Sequence, residues 1–310
     1  DALIYAKKLV AKNPKDREAI EMAAKAYEAA GDSKNAALMY KKYVELPKTD
    51  KHREYAYHLV ELLEKANQDA LAIKQAKINM AKYPKDYRNH VKLGELMLEN
   101  NQLTNATKIL YKYGTRSDAP PKINLVLAKA YNKLNKTGPA AAAYERYLKK
   151  EQTDSTAWYE LGSIYYNAKN YTKAATALNR ASVMMPKNAD VLYKLGMSQY
   201  HTKKYAEASD ALAKALPAKS SDKTLLKALT VSYRSIKDTT ELINVLKRRV
   251  KLEPKNFKLS NELGNLLVAR GDVQNAIATL EQASRARPKD VGLHLKLASL
   301  YDKIKDTKNQ

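Results

Sequence analysis

STAWYELGSIYYNAKNYTKAATALNRASVMMP, residues 155–186, is the stretch whose reading decides the fold. Trp158, Leu161, Gly162, Tyr165, Ala174, Leu178, Ala181 and Pro186 fall in it at W-x2-L-G-x2-Y, then Ala, a large apolar residue, Ala and a closing Pro. Stepping from Leu161 in strides of 34 meets Leu59, Leu93, Leu127, Leu195, Leu229, Leu263 and Leu297 without a gap. The next column reads Val60, Gly94, Ala128, Gly162, Gly196, Thr230, Gly264 and Ala298, nearly all small. Small residues are needed where two paired helices approach closely. The Ala174 column repeats this with Ala36, Ala72, Ala106, Ala140, Ala208 and Ala276. Pro84, Pro186, Pro254 and Pro288 close second helices, because a ring without an N–H cannot extend the ladder.

This pattern resembles the tetratricopeptide-repeat family, whose unit is a 34-residue helix-turn-helix. The resemblance implies an all-α, right-handed superhelical solenoid of about eight helix-turn-helix repeats plus a leading and a trailing single helix. Units are expected near residues 17–48, 53–86, 87–120, 121–154, 155–188, 189–222, 223–256 and 257–290, with half units at 1–14 and 291–305, all in a single array. Eighteen helices follow, with one slip in phase, two additional residues near Thr49 to His52. Gly31-Asp32 and Gly271-Asp272 read as a helix-ending glycine followed by a capping Asp. Asn67, Asn101 and Asn135 suit the same left-handed position, and Lys169, Lys203 and Lys237 are poorer choices for it. The chain opens in a helical pattern at Asp1 without Met, and its last helix is rather hydrophobic, which reads as a piece of a longer protein.

Composition agrees with helices: 9 Gly and 10 Pro in 310 residues leave few tight turns. Lys and Arg outnumber Asp and Glu by 56 to 33, a formal net charge of +23, so acidic partners are favoured. Zero Cys excludes disulfides, thiol nucleophiles and thiolate metal sites. No apolar run reaches 18 residues, so no transmembrane helix is expected. Richness in Lys and Tyr, with the absence of Cys, favours a bacterial periplasm or cell envelope over the cytoplasm.

No catalytic signature, cofactor motif or metal-ligand spacing appears, and no enzyme activity or cofactor is expected. His90 and His294 share the Trp158 column and read as packing residues. Carboxylate pairs such as Glu61 with Glu64 read as solvated helix faces, with nothing to suggest the desolvation that raises a pKa.

The resemblance further implies that first helices line an inner groove through residues two, five, six, nine, twelve and thirteen of each unit. On that basis the partner-binding candidates are Tyr159, Tyr166, Asn167, Tyr193, Lys194, Tyr200 and His201, the most aromatic stretch. Lys122, Lys129 and Lys133, from a segment with ten Lys or Arg between residues 101 and 150, and Lys227 with Arg234, add a basic flank. Tyrosine contributes large contact area at small entropic cost, although tyrosine is also a common packing residue of these units. The expected partner is a protein or an extended acidic peptide, in assembly of a bacterial envelope complex. Nucleic-acid or acidic-polysaccharide binding along the basic groove is the alternative. The family's clamp for a peptide carboxylate is absent, since Lys227 is followed by Val231 and Asn261 by Asn265.

Overall fold

The computed structural model describes residues 2–308. In chain order they form α1 (Ala2–Lys12), α2 (Arg17–Ala29), α3 (Ser33–Glu45), α4 (His52–Lys65), α5 (Asp69–Lys82), α6 (Tyr87–Glu99), α7 (Leu103–Gly114), α8 (Pro121–Lys133) and α9 (Thr137–Leu148). These are followed by α10 (Ser155–Asn167), α11 (Tyr171–Met184), α12 (Ala189–His201), α13 (Tyr205–Ala215), α14 (Lys223–Ser235), α15 (Thr239–Leu252), α16 (Phe257–Ala269), α17 (Val273–Ala286) and α18 (Val291–Lys308). The fold is an all-α helical-repeat solenoid, with no strand among the described residues. Contacts gather the chain into two compact units, one ending at Ala157 and one beginning at Trp158, within α10.

Each pair is held by the columns that repeat in the sequence. Leu59, Leu93, Leu127, Leu161, Leu195, Leu229, Leu263 and Leu297 are all buried. A Cβ on Gly162 would stand 2.6 Å from Leu178 Cγ, and one on Gly196 would stand 2.6 Å from Leu212 Cγ and 3.0 Å from the Leu212 backbone nitrogen. Gly94 with Leu110 and Gly264 with Leu280 repeat the arrangement at the same sequence spacing. That spacing also joins Val60 to Ala76, both fully buried, so a larger first residue goes with a smaller second one.

Turns within the pairs are equally regular. Gly31, Asn67, Asn101, Asn135, Lys169, Lys203, Lys237 and Gly271 all have φ between +54° and +81°. The next residue's N–H reaches back over the last helical turn, as in Gln68 to the Leu63 carbonyl at 2.8 Å and Lys204 to Gln199 at 2.9 Å. This pattern consumes carbonyls that the helix end leaves unpaired. The phase slip lies in the α3–α4 connection and is pinned by His52, which is fully buried. Its Nδ1 accepts from the Thr49 backbone N–H at 2.8 Å and its Nε2 donates to the Leu46 carbonyl at 3.0 Å.

In the first unit a continuous core runs from Ala6 through Tyr40, Leu62 and Leu93 to Ala130. A core in the second runs from Leu192 through Leu229 and Leu263 to Leu300. Besides sequential packing, α6 touches α8 in one unit and α12 touches α14 in the other. Both are pairs of first helices, which places first helices on the tighter side of each stack.

Candidate functional site

Positions five, six, nine and twelve of α10 and α12 share one face of the second unit. Lys194 donates from Nζ to the Tyr159 hydroxyl at 3.0 Å and to Ser163 Oγ at 2.8 Å, and lies 4.6 Å from the Tyr159 ring centroid. Both hydrogen-bond partners are neutral, and no carboxylate among the described residues is in ion-pair contact with Lys194; Asp190, which Lys194 helps to hold ionised, is paired with Lys219. Tyr193 lies under Lys219, whose Nζ is 5.2 Å from the ring centroid and 2.9 Å from Asp190 Oδ1.

Tyr159, Tyr166, Tyr193 and Tyr200 are half-buried, resting on the core while presenting an edge to solvent. Burial, helped by neighbouring Tyr193 and Tyr171, pushes the Tyr166 phenol up to about 12. Burial also raises Tyr193, to which Asp222 adds. Both hydroxyls therefore stay protonated at neutral pH, as donors and acceptors. His201 stacks on Tyr171 at 4.1 Å and 15°, Tyr171 meets Tyr166 edge-on at 5.9 Å, and Tyr200 meets His201 edge-on at 5.3 Å. Partial desolvation holds the His201 pKa below the usual imidazole value, which favours the neutral ring. Asn167 is exposed at the end of α10.

The basic candidates divide by partner. Arg234 is bound to Glu262 Oε1 at 2.6 Å and Lys122 to Glu95 at 3.0 Å, each linking one first helix to the adjacent one. Lys129 and Lys133, on the first unit, and Lys227, on the second, are exposed without an ion-pair partner among the described residues. First helices are stitched in the same way by Tyr55 donating to Glu21 at 2.6 Å, by Arg88 reaching Glu54 at 2.8 Å, and by Lys296 reaching Asn265 at 2.5 Å.

Tyr171, Lys219 and Asp190 join this site although none of them is among the candidates drawn from the sequence. Tyr171 opens α11 one repeat before Tyr205, a regularity that marks it as structural without revealing that His201 would stack on it. His90 is fully buried and edge-on to Tyr113 at 4.1 Å, as its column suggests. His294 is not packed: it is exposed and its Nε2 bonds the Pro288 carbonyl at 2.9 Å, because α18 has no following helix among the described residues to cover that face. Among the described residues no group of three or more His, Asp or Glu side chains could hold a metal ion, and no helix is long and apolar enough to cross a membrane.

Residues 58–296 match the family model described as the cilia and flagella-associated protein 70 C-terminal domain, a tetratricopeptide domain. The chain belongs to that tetratricopeptide-repeat family. Similar solved structures include the MamA protein, 18% identical over 56% of this chain and 94% of that one, with a TM-score of 0.41. A tetratricopeptide-repeat protein from Parabacteroides merdae is 15% identical over 80% and 98%, with a TM-score of 0.45. YrrB, described as a tetratricopeptide protein with an unusual peptide-binding site, is 18% identical over 62% and 97%, with a TM-score of 0.43. No curated protein sequence matches the chain. In this tetratricopeptide chain Tyr159 meets Lys194, Tyr193 meets Lys219, Tyr166 meets Tyr171 and Tyr200 meets His201, all in the second unit. Lys122, Lys129 and Lys133 belong to the first.

Proposed function

We propose that the chain is a non-enzymatic protein–protein interaction scaffold that binds a partner protein or an extended acidic peptide on its first-helix face, in assembly of a bacterial envelope complex. The observation that carries the reading is Lys194, a cation hydrogen-bonded to the neutral hydroxyls of Tyr159 and Ser163 and lying against the half-buried Tyr159 ring. A carboxylate from a ligand would supply its missing counter-ion, and the tyrosine edges would add contact area and hydroxyl bonds. Exposed Lys227 on α14 would extend the attraction to a second acidic side chain.

Fluorescence anisotropy with a labelled, proline-containing peptide rich in Asp and Glu tests this on the full chain. Tyr159→Ala with Tyr193→Ala, and Lys194→Met alone, are each expected to weaken binding about tenfold. Wild-type affinity in all of these variants would refute the first-helix reading. Competition by a single-stranded oligonucleotide, with affinity falling steeply as salt rises, would favour nucleic acid as the ligand instead.

A further inference from the structure

The first unit carries a concavity on the side of its second helices. It lies between α3 and α5, above α4, and has a volume of about 520 Å³. Leu59 and Leu63 of α4 form its floor. Its walls hold Leu38 from α3 and Leu71 and Ile78 from α5, which are 47%, 51% and 47% exposed. Aliphatic side chains left half in water on facing helices are costly unless something covers them. The inward face of α5 is already satisfied by Ala72, Ile73 and Ala76, so Leu71 and Ile78 form an additional apolar row that the helix pair does not need.

The rim is basic. Lys34, Lys41, Lys74 and Lys82 surround the groove against one acidic lining residue, Glu45, and none of the four has an ion-pair partner among the described residues. The one deeply buried polar floor group is satisfied internally: Asn79 donates to the Ala56 carbonyl at 2.6 Å and accepts from Gln75 at 2.9 Å. Helical walls keep their backbone groups for their own ladders, so an extended peptide would find no partners for its N–H and C=O groups here. A helix brings its backbone already satisfied and can lay one apolar ridge between two others.

We propose that this groove docks an acidic amphipathic helix of a partner protein, with leucine-like residues on one face and Asp or Glu along both flanks. The wall from Lys34 to Glu45 accommodates roughly three turns of such a helix at about 1.5 Å per residue. A second copy of this chain is a poor occupant, since each copy carries a net charge of +23. The site is separate from the first-helix face, and the proposal stands or falls independently of it.

The test uses the full chain and a fluorescein-labelled, hydrocarbon-stapled peptide of about four turns, with leucines on one face and glutamates on both flanks. Expected is saturable binding that weakens about tenfold or more in Leu71→Asp with Ile78→Asp, while Tyr159→Ala with Tyr193→Ala leaves it unchanged. Should the aspartate variant fail to fold, reversal of the exposed Lys34, Lys41 and Lys74 to Glu is expected to cause a comparable loss. The cysteine-free chain permits a direct readout: the Ile78→Cys thiolate should exchange with a peptide whose one apolar-face cysteine is activated as a mixed disulfide with thionitrobenzoate, forming the protein–peptide disulfide and releasing the coloured thiolate. The proposal is overturned by no binding to the wild-type chain or by equal affinity for a peptide broken at its centre by proline. Equal affinity for a peptide with Lys in place of Glu, or a dimer of the chain that disappears in the Leu71→Asp, Ile78→Asp variant, would also overturn it.

Discussion

Three lysines sit where a side chain is least welcome. Lys169, Lys203 and Lys237 have φ of +58°, +62° and +61°, in the column whose other members are Gly or Asn. A left-handed non-glycine residue costs about 1–2 kcal/mol, partly offset by the greater freedom glycine has when unfolded. Lys203→Gly is therefore expected to stabilise the chain by about 0.5–1 kcal/mol, read as a rise in urea midpoint with unchanged slope. The conformation itself was legible from Gly31, Gly271 and the three asparagines, since a residue type needed for one backbone angle recurs at a fixed interval. Side-chain pairing at the same scale was not. That Lys194 turns back to Tyr159 and Ser163, or that Arg234 finds Glu262, depends on rotamers and on a neighbour a unit away.

At the scale of elements, four of the eight second helices that follow these turns have a side-chain cap. Asp32, Asn170, Asp238 and Asp272 accept from a backbone N–H three residues on, whereas Gln68, Gln102, Lys136 and Lys204 do not. Lys204→Asp supplies a carboxylate to the start of α13 and is expected to add about 1 kcal/mol, measured by chemical denaturation. The contact between paired helices makes an opposite prediction. Gly to Ala inside a helix normally stabilises by up to about 1 kcal/mol. At Gly196 the new methyl would meet the Leu212 side chain and backbone, so Gly196→Ala is expected to destabilise by about 1–3 kcal/mol, and the double variant with Leu212→Ala to lose less than the sum of the two single losses. Helix positions and pairing were readable because each pair repeats one solution. The groove between α3 and α5 was not, because the exposure of Leu38, Leu71 and Ile78 depends on how far apart successive second helices stand.

For the whole molecule, charge sets the response to acid. Glu21 shows the local form of it: burial works against its ionisation, but hydrogen bonds from Lys25, Tyr55 and Lys51 prevail and hold its pKa at about 2. Asp86 and Glu54 are lowered chiefly by the Arg88 guanidinium, and Asp190 by Lys219. A carboxyl with a depressed folded-state pKa contributes stability that is complete above its unfolded value and is lost as pH falls through the folded one. For Glu21 that window runs from 4.5 down to about 2. Protonating the 33 Asp and Glu carboxylates also leaves the 56 Lys and Arg side chains uncompensated. The melting temperature is therefore expected to fall across this window and to be partly restored by added salt, with the fall shallower in Glu21→Gln. A flat melting temperature from pH 5 to pH 2 would contradict this account. The polar links between first helices also have a mechanical consequence. Within each unit one flank is riveted by Lys122 to Glu95, Arg88 to Glu54 or Arg234 to Glu262, so spreading that flank ruptures ion pairs. Each stack then behaves as a bimetal strip does, flexing more readily away from its riveted edge, and a wedge driven between α3 and α5 would bend it in the compliant direction.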